Sequence, residues 1–217
     1  SLVGSEMCIR DRCFTTQLVA LMLLTLALAK ASGKNPRLRG RIIEALRTLP
    51  EKISEALLLK DEITSFASEI ANKNNALFLG RGIFYPIAKE GALKLKVITY
   101  IHAEAYPAGE LKHGPLALID EEMPVVFVAT KGANYEKVVS NVQEVKARKG
   151  KIIALASHND PHLEASVDHI IRVPETLECL SPLLNTIPLQ LLSYHIAVLR
   201  ECNVDQPRNL AKSVTVE

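Results

Sequence analysis

The feature that most constrains this chain is a series of short apolar segments separated by helical patterns. Segments 76–80, 125–130, 151–157 and 169–173 are too short for helices, and 101–106 is a half-polar strand pattern. A helical pattern spans 85–99, and another carries Val138, Val139, Val142 and Val145 at helical spacing. This alternation is typical of a parallel sheet with helices on both faces. We therefore predict an α/β fold.

Further helices flank this region. The pattern predicts a buried helix over 13–30, one or two helices over 41–59 with a break at Pro50, and a helix over 61–71 capped by Asp61. The last of these places Ile63, Phe66, Ala67 and Ile70 on one face. A long helix over 181–200 closes the domain, with these residues predicted to face inward: Leu183, Leu184, Ile187, Leu191, Tyr194 and Val198.

The amino-terminal segment has the outline of a secretory signal. Arg10 and Arg12 precede the apolar run 18–29, which ends in Ala29-Lys30-Ala31, a small-x-small pattern. The run of 12 residues is too short to span a bilayer and equally suits a core helix. Residues 1–12 show no period and look like a translated cloning adapter, so we exclude them from the fold.

Composition narrows the class of protein. Of the 217 residues 48% are hydrophobic and 23% charged, with a net charge of +2, which suits a globular protein. The absence of a basic cluster with aromatics argues against nucleic-acid binding. Four cysteines without a CxxC spacing suit a reducing compartment, so we expect a cytoplasmic location.

Two groups of residues have the composition of a site. Gly80-Arg81-Gly82 joins a strand to a helix, where backbone N–H groups can bind an anion, although a tight turn explains the glycines equally well. Glu90, Lys94 and Val97 share one helix face. The spacing of Glu90 and Lys94 suits an exposed ion pair. The neighbouring Leu93, however, favours a partly buried face on which the lysine could bind a ligand.

Three more side chains invite a chemical role. His102 and Glu104 point to the same side of a strand and, with His113, could ligate a metal, but their spacing matches no metal signature and we expect none. His113 in the loop GELKHGP also suits proton transfer, although a lone loop histidine can be structural. Lys212 is either a solvated tail charge or, if the tail covers a pocket, a Schiff-base lysine.

Several stretches together resemble one family. They are CFTTQL, ALFLGRG, EGALKLK, YIHAEAY, GELKHGPLALID, PLQLL and DQPRNLAKSVTVE. They are similar to the carboxyl-terminal isomerase half of the glutamine–fructose-6-phosphate aminotransferases, which carries two copies of the SIS (sugar isomerase) fold. The resemblance implies an adapter-like segment 1–12, the final helices of a first SIS copy at 13–58, a complete second copy at 59–200, and an active-site tail at 201–217. It also implies that the apolar run 18–29 is a packing helix, and that neither a membrane nor a nucleic acid is a partner.

The resemblance also implies roles for individual residues. Lys212 would form a Schiff base with open-chain fructose 6-phosphate, His113 would open the sugar ring in a neighbouring subunit's site, and Lys94 would support the site electrostatically. Ala211, Arg81 and Glu90 would contact the substrate. The family uses no metal or organic cofactor, makes glucosamine 6-phosphate, takes ammonia from glutamine through an amino-terminal domain, and is homodimeric.

Position 97 departs from the family pattern. The family has a glutamate here, the base that moves a proton between C1 and C2 of the sugar, and Val97 cannot accept a proton. The valine is either genuine or a sequence error, since a glutamate and a valine codon can differ by one base; the adapter-like start favours error. The chain also contains no Ser-x-Ser-Gly-x-Thr phosphate loop, so we expect it to be inactive alone. A non-catalytic sugar-phosphate-binding or dimerisation module is the alternative.

Overall fold

A computed structural model describes the backbone of residues 5–209 and the side chains of residues 13–209. Five parallel strands form one sheet in the order β2-β1-β3-β4-β5. They are β1 (Asn75–Gly80), β2 (His102–Pro107), β3 (Pro124–Val128), β4 (Lys151–Ala156) and β5 (His169–Arg172). The five strands and their parallel arrangement confirm the predicted fold class.

Within residues 5–209, eight α-helices accompany the sheet. They are α1 (Ser5–Ala31), α2 (Pro36–Arg47), α3 (Leu49–Leu57), α4 (Lys60–Ala71), α5 (Tyr85–Thr99), α6 (Tyr135–Lys146), α7 (Pro161–Glu164) and α8 (Ser181–Leu199). Short 3₁₀ segments span Gly82–Phe84, Ala108–His113 and Pro115–Leu118. The last two lie in a stretch that the sequence pattern leaves as a loop.

The sheet separates two hydrophobic cores because successive side chains of a strand point to opposite faces. Phe78, Val126 and Ile153 lie in the core formed with α4, α5 and α8. Leu79 and Phe127 lie in the other core, which is completed by α6 and α7. The fully buried strands of the interior explain why their sequences read as continuous apolar runs.

Three local expectations are wrong. The helical stretch is interrupted as predicted, but at Thr48 and not at Pro50, because Pro50 occupies the first turn of α3, where its missing N–H costs nothing. Asp61 is not a cap, since α4 begins at Lys60 without a side-chain cap. Tyr194 and Val198 of α8 are exposed, because the helix is covered all round only over residues 183–189 and is buried on one side beyond them. The predicted inward residues of α4 are confirmed.

The apolar run of α1 is not the buried helix that its composition predicts. Leu21, Leu23, Leu24 and Leu28 are exposed, and Leu26 is buried. A helix that is apolar all round needs partners all round, whereas in the described part of the chain α1 packs along one face. By length and composition alone, Cys13–Ala31 and α8 could each cross a membrane, a test that core helices and signal sequences also pass.

Candidate active site

The strand order places a topological switch point between β1 and β3, where connections leave in opposite directions. Ligands of open parallel sheets bind outside the carboxyl ends of the strands at such a point. Gly80-Arg81-Gly82 lies at this end of β1. Gly82 has φ +59°, so the tight-turn interpretation of the glycines is confirmed. At Gly80, a β-carbon would come within 2.3 Å of the Phe84 carbonyl oxygen, so the turn also requires close backbone approach.

Arg81 is anchored beside this turn. Its Nη1 donates to Asn141 Oδ1 of α6 at 3.5 Å. The guanidinium also packs on Gly109, where a β-carbon would lie 3.1 Å from Nη1. A glycine at 109 therefore makes room for the arginine, and the positive charge is held at the carboxyl edge of the sheet.

Glu90 and Lys94 form an enclosed ion pair on α5. The Lys94 Nζ lies 3.2 Å from Glu90 Oε1, and the two side chains are only 11% and 12% exposed. This confirms the partly buried face and excludes the exposed-pair alternative. Removing two charges from water costs several kcal/mol, which can offset the attraction between them. An enclosed ion pair is therefore weak evidence of a stabilising role, and this pair is a candidate for a functional one.

Val97 completes this face of α5 and is half-buried. Glu90 lies about two turns away along the helix, roughly 10 Å, and its carboxylate is already bound to Lys94. A groove of about 430 Å³ runs beside this part of the helix, lined by Glu90, Leu93 and Glu104 among others.

Glu104 in this groove is bound by Lys96, whose Nζ donates to Oε1 at 2.6 Å. The hydrogen bond from Lys96 lowers the pKa of Glu104, against the smaller opposing effect of burial, so the carboxylate is ionised at neutral pH. His102 on the same strand is exposed. In the part of the chain with described side chains, no three His, Cys, Asp or Glu residues are grouped as metal ligands.

His113 ends the 3₁₀ segment Ala108–His113 and is 75% exposed. Its Nε2 lies 3.8 Å from Glu110 Oε2 of the same segment. The next residue, Gly114, has φ +144°, a conformation that glycine adopts without strain. The loop thus presents the imidazole outward instead of burying it in the domain.

Two of the predicted residues, Ala211 and Lys212, lie outside the described residues. The segment before them is held against the end of α5. The Arg208 N–H donates to Tyr100 Oη at 2.9 Å, and the Arg208 guanidinium lies 4.1 Å from the centre of the Tyr100 ring, a cation–π contact. Tyr100 has φ +62° and is the carboxyl cap of α5.

The Tyr100–Arg208 contact ties the chain at residue 208 to the end of α5, and the sequence pattern missed it. The sequence signal for this contact is weak. Hydrophobic periodicity does not reveal a tyrosine in the left-handed conformation at a helix end, and the tail shows no periodicity of its own. The contact nevertheless fixes the root of the tail on the helix that carries Glu90, Lys94 and Val97.

The parallel sheet, its switch point and the flanking helices define an α/β domain whose ligands are expected at the carboxyl edge of the sheet. The SIS domain family model matches residues 69–200, and the chain belongs to this family.

Two curated aminotransferases are similar to this chain over nearly its whole length. The chain is 58% identical over 207 residues to the glutamine–fructose-6-phosphate aminotransferase (isomerizing) of Bordetella pertussis, covering 95% of this chain and 34% of that protein. The enzyme of the same name from Pseudomonas putida is 53% identical over 219 residues, covering 100% of this chain and 36% of that protein. The chain thus spans about a third of the length of the curated relatives it matches.

A solved structure identifies the corresponding part. The C-terminal domain of glucosamine-fructose-6-phosphate aminotransferase from Francisella tularensis superposes with a TM-score of 0.82 at 45% identity, covering 89% of this chain and 55% of that one. A glucosamine-6-phosphate deaminase from Thermotoga maritima, 23% identical with a TM-score of 0.68, shares the fold. The chain therefore corresponds to the SIS-bearing carboxyl-terminal part of the aminotransferases.

Proposed function

We propose that this chain is the isomerase part of a cytoplasmic, homodimeric enzyme that makes glucosamine 6-phosphate from fructose 6-phosphate and glutamine. The glutamine would be hydrolysed by an amino-terminal domain of the whole enzyme. The observation that carries the proposal is the enclosed Glu90–Lys94 pair on a helix whose end also anchors the tail leading to Lys212.

Lys212 is assigned the covalent step. Its ε-amino group adds to the C2 carbonyl of open-chain fructose 6-phosphate, and loss of water gives the C=N bond of a Schiff base. The Tyr100–Arg208 contact supports this assignment because it limits where the following four residues can reach. Arg81, Glu90 and Ala211 are assigned to substrate binding, and Lys94 to electrostatic support of the sugar's developing charges.

His113 is assigned to proton transfer during ring opening. Its exposure on a loop supports a role in a neighbouring subunit's site, since an imidazole that faces outward can meet a substrate held by a partner. An imidazole can donate a proton to a sugar oxygen or accept one from it.

Borohydride trapping tests the covalent assignment. In an enzyme that joins this chain to the part of the aminotransferases that it does not span, reduction in the presence of fructose 6-phosphate is expected to leave a sugar adduct on Lys212, detected by peptide mass spectrometry. A Lys212→Arg variant is the control and should stay unmodified. Lack of an adduct would favour the alternative function, a non-catalytic sugar-phosphate-binding or dimerisation module.

Position 97 is tested in the same completed enzyme. Val97→Glu is expected to raise the rate of isomerisation by roughly 10² or more, the contribution typical of a positioned general base. The Val97→Gln variant is the control. Its side chain has the size of glutamate but no basic carboxylate, so the rate of isomerisation should not rise. An unchanged rate in Val97→Glu would show that our account of this position is wrong. The 217-residue chain alone, given fructose 6-phosphate and ammonia, should form no glucosamine 6-phosphate.

A further inference from the structure

A second cavity lies away from the α5 face, at the carboxyl ends of β3 and β4 and beside the start of α8. Its volume is about 230 Å³. Its polar lining includes Thr130, Lys131, Ser157, Glu178, Ser181 and Asn185. The carboxyl edge of a parallel sheet is the edge at which such folds bind ligands, so the position of the cavity is itself suggestive of a binding site.

Asn185 is the feature that needs an explanation. Its side chain is completely buried, and its Nδ2 donates to Thr130 Oγ1 at 3.0 Å. Its Oδ1 is also buried and receives no hydrogen bond from any described residue. An unpaired buried acceptor costs about 1–3 kcal/mol. Since Asn185 lines the cavity, a ligand that donates a hydrogen bond there would remove this cost.

The other polar groups can bind hydroxyls. Thr130 Oγ1 accepts from Asn185 and can still donate its own proton. Ser157 Oγ accepts from the Lys131 N–H at 3.0 Å and likewise keeps a proton to donate. Glu178 Oε1 accepts from the Ala133 N–H at 3.1 Å, which holds the carboxylate beside the cavity. The lining therefore offers both acceptors and hydroxyl donors.

An anion is a poor match for this lining. At the start of α8, the Ser181 N–H donates to the Leu177 carbonyl and the Leu183 N–H to the Leu180 carbonyl, while residue 182 is a proline without an N–H. The helix start therefore lacks the free amides that usually bind phosphate. The cavity lining also contains two carboxylates, Glu175 and Glu178, against the single positive charge of Lys131.

We propose that this cavity binds an uncharged polyol of about monosaccharide size. One hydroxyl donates to Asn185 Oδ1, and other oxygens accept from Thr130 and Ser157. The volume is below the roughly 300 Å³ typical of sites for larger ligands, which excludes a nucleotide sugar. The proposal uses no residue assigned to the aminotransferase reaction, so either can fail without the other.

A titration of the 217-residue chain, labelled with ¹⁵N, tests the proposal with D-glucose as the probe. Saturable shifts are expected in the backbone amide signals of Thr130 and Gly132 and in the side-chain amide of Asn185, at millimolar sugar. D-glucose 6-phosphate is the charged comparison and should bind more weakly. Absence of shifts at these residues, or tighter binding of the phosphorylated sugar, would overturn the proposal.

Variants distinguish the site from non-specific sugar contact. Asn185→Leu is expected to weaken glucose binding roughly tenfold, the effect of losing about one hydrogen bond to a buried group. Thr130→Val tests the same contact from the other side and keeps the shape of the side chain, so it decides the question if Asn185→Leu does not fold. Thr186→Val removes a buried hydroxyl that instead bonds the Pro182 carbonyl, and should bind glucose like the unaltered chain. Equal affinity in Asn185→Leu, Thr130→Val and the unaltered chain would refute the assignment.

Discussion

The two long apolar helices in the described part of this chain have opposite environments. The stretch Cys13–Ala31 of α1 and the helix α8 are each 19 residues long. Their mean hydropathies are 1.7 and 1.2, yet 6% of the α1 window is buried against 61% of the α8 window. The more apolar helix is the exposed one, so hydropathy does not rank burial within this molecule.

The difference lies in what surrounds each helix. α8 packs against α3, α4 and α5, so Leu184, Leu189 and Leu192 are completely covered. α1 reaches the same core through one face, which carries Phe14, Leu18, Val19 and Met22. Apolar composition makes burial favourable, but only a neighbouring surface provides it. Under the proposed function, the preceding SIS copy would supply that surface for α1.

The largest expected effect is on α8. Leu192→Ala should lower the free energy of unfolding by about 2–5 kcal/mol, because it removes fully buried methyl groups and leaves a cavity. Leu24→Ala in α1 is the matched control, since Leu24 is exposed, and should change stability by less than about 0.5 kcal/mol. Urea denaturation measures both. Equal losses would show that the contrast between the helices is not real.

A smaller effect is expected on the pH dependence of the free energy of unfolding. Burial lowers the pKa of His195 on α8 below its usual value of 6.5. The unfolded chain therefore binds a proton more readily than the folded chain, and the stability contributed by neutral His195 is complete above the unfolded pKa. This contribution is lost as the pH falls from about 6.5 through the folded pKa. Residues 13–31 of α1 contain no His, Asp or Glu, so this stretch adds no such group to the pH dependence.

Urea denaturation between about pH 5 and 8 checks the pH effect. His195→Gln should flatten the stability profile, and His162→Gln, at an exposed position on α7, is the matched control for the substitution. A profile unaffected by His195→Gln would contradict the expected role of burial.

The smallest effect on stability is expected for charges placed on α1. The pair Leu24→Glu with Leu28→Lys replaces two exposed leucines by a favourable i,i+4 pair and should alter the free energy of unfolding by no more than about 0.5 kcal/mol. Sedimentation velocity should show less self-association, because an exposed apolar patch is removed. A loss of several kcal/mol would mean that these leucines are covered in solution.

Much of the fold could be predicted because strand and helix periods are local. The five strands and the inward residues of α4 follow from the spacing of apolar residues. Tyr194 and Val198 were placed inward wrongly because an apolar residue on a helix fits a buried or an exposed position equally well. Pro50 was misplaced since a proline can begin a helix as readily as it ends one.

The candidate site was predictable in part. Glu90 and Lys94 pair as their i,i+4 spacing suggests, but Leu93 does not account for the enclosure of the pair, since that leucine is itself 50% exposed. Arg81 lies at the expected sheet edge, but its contacts with Asn141 and Gly109 come from distant parts of the chain. The roles of Lys94, His113 and Lys212 stay predictions until the trapping and rescue experiments are done.

The sequence by itself determined the strand–helix alternation and the family, since these depend on residue identity and short-range spacing. Only the tertiary structure decided which apolar helix is buried, that Asn185 has an unpaired oxygen inside a cavity, and that Arg208 meets Tyr100 across 108 residues. Such contacts depend on how distant segments pack, and packing is a property of surfaces that local patterns do not contain.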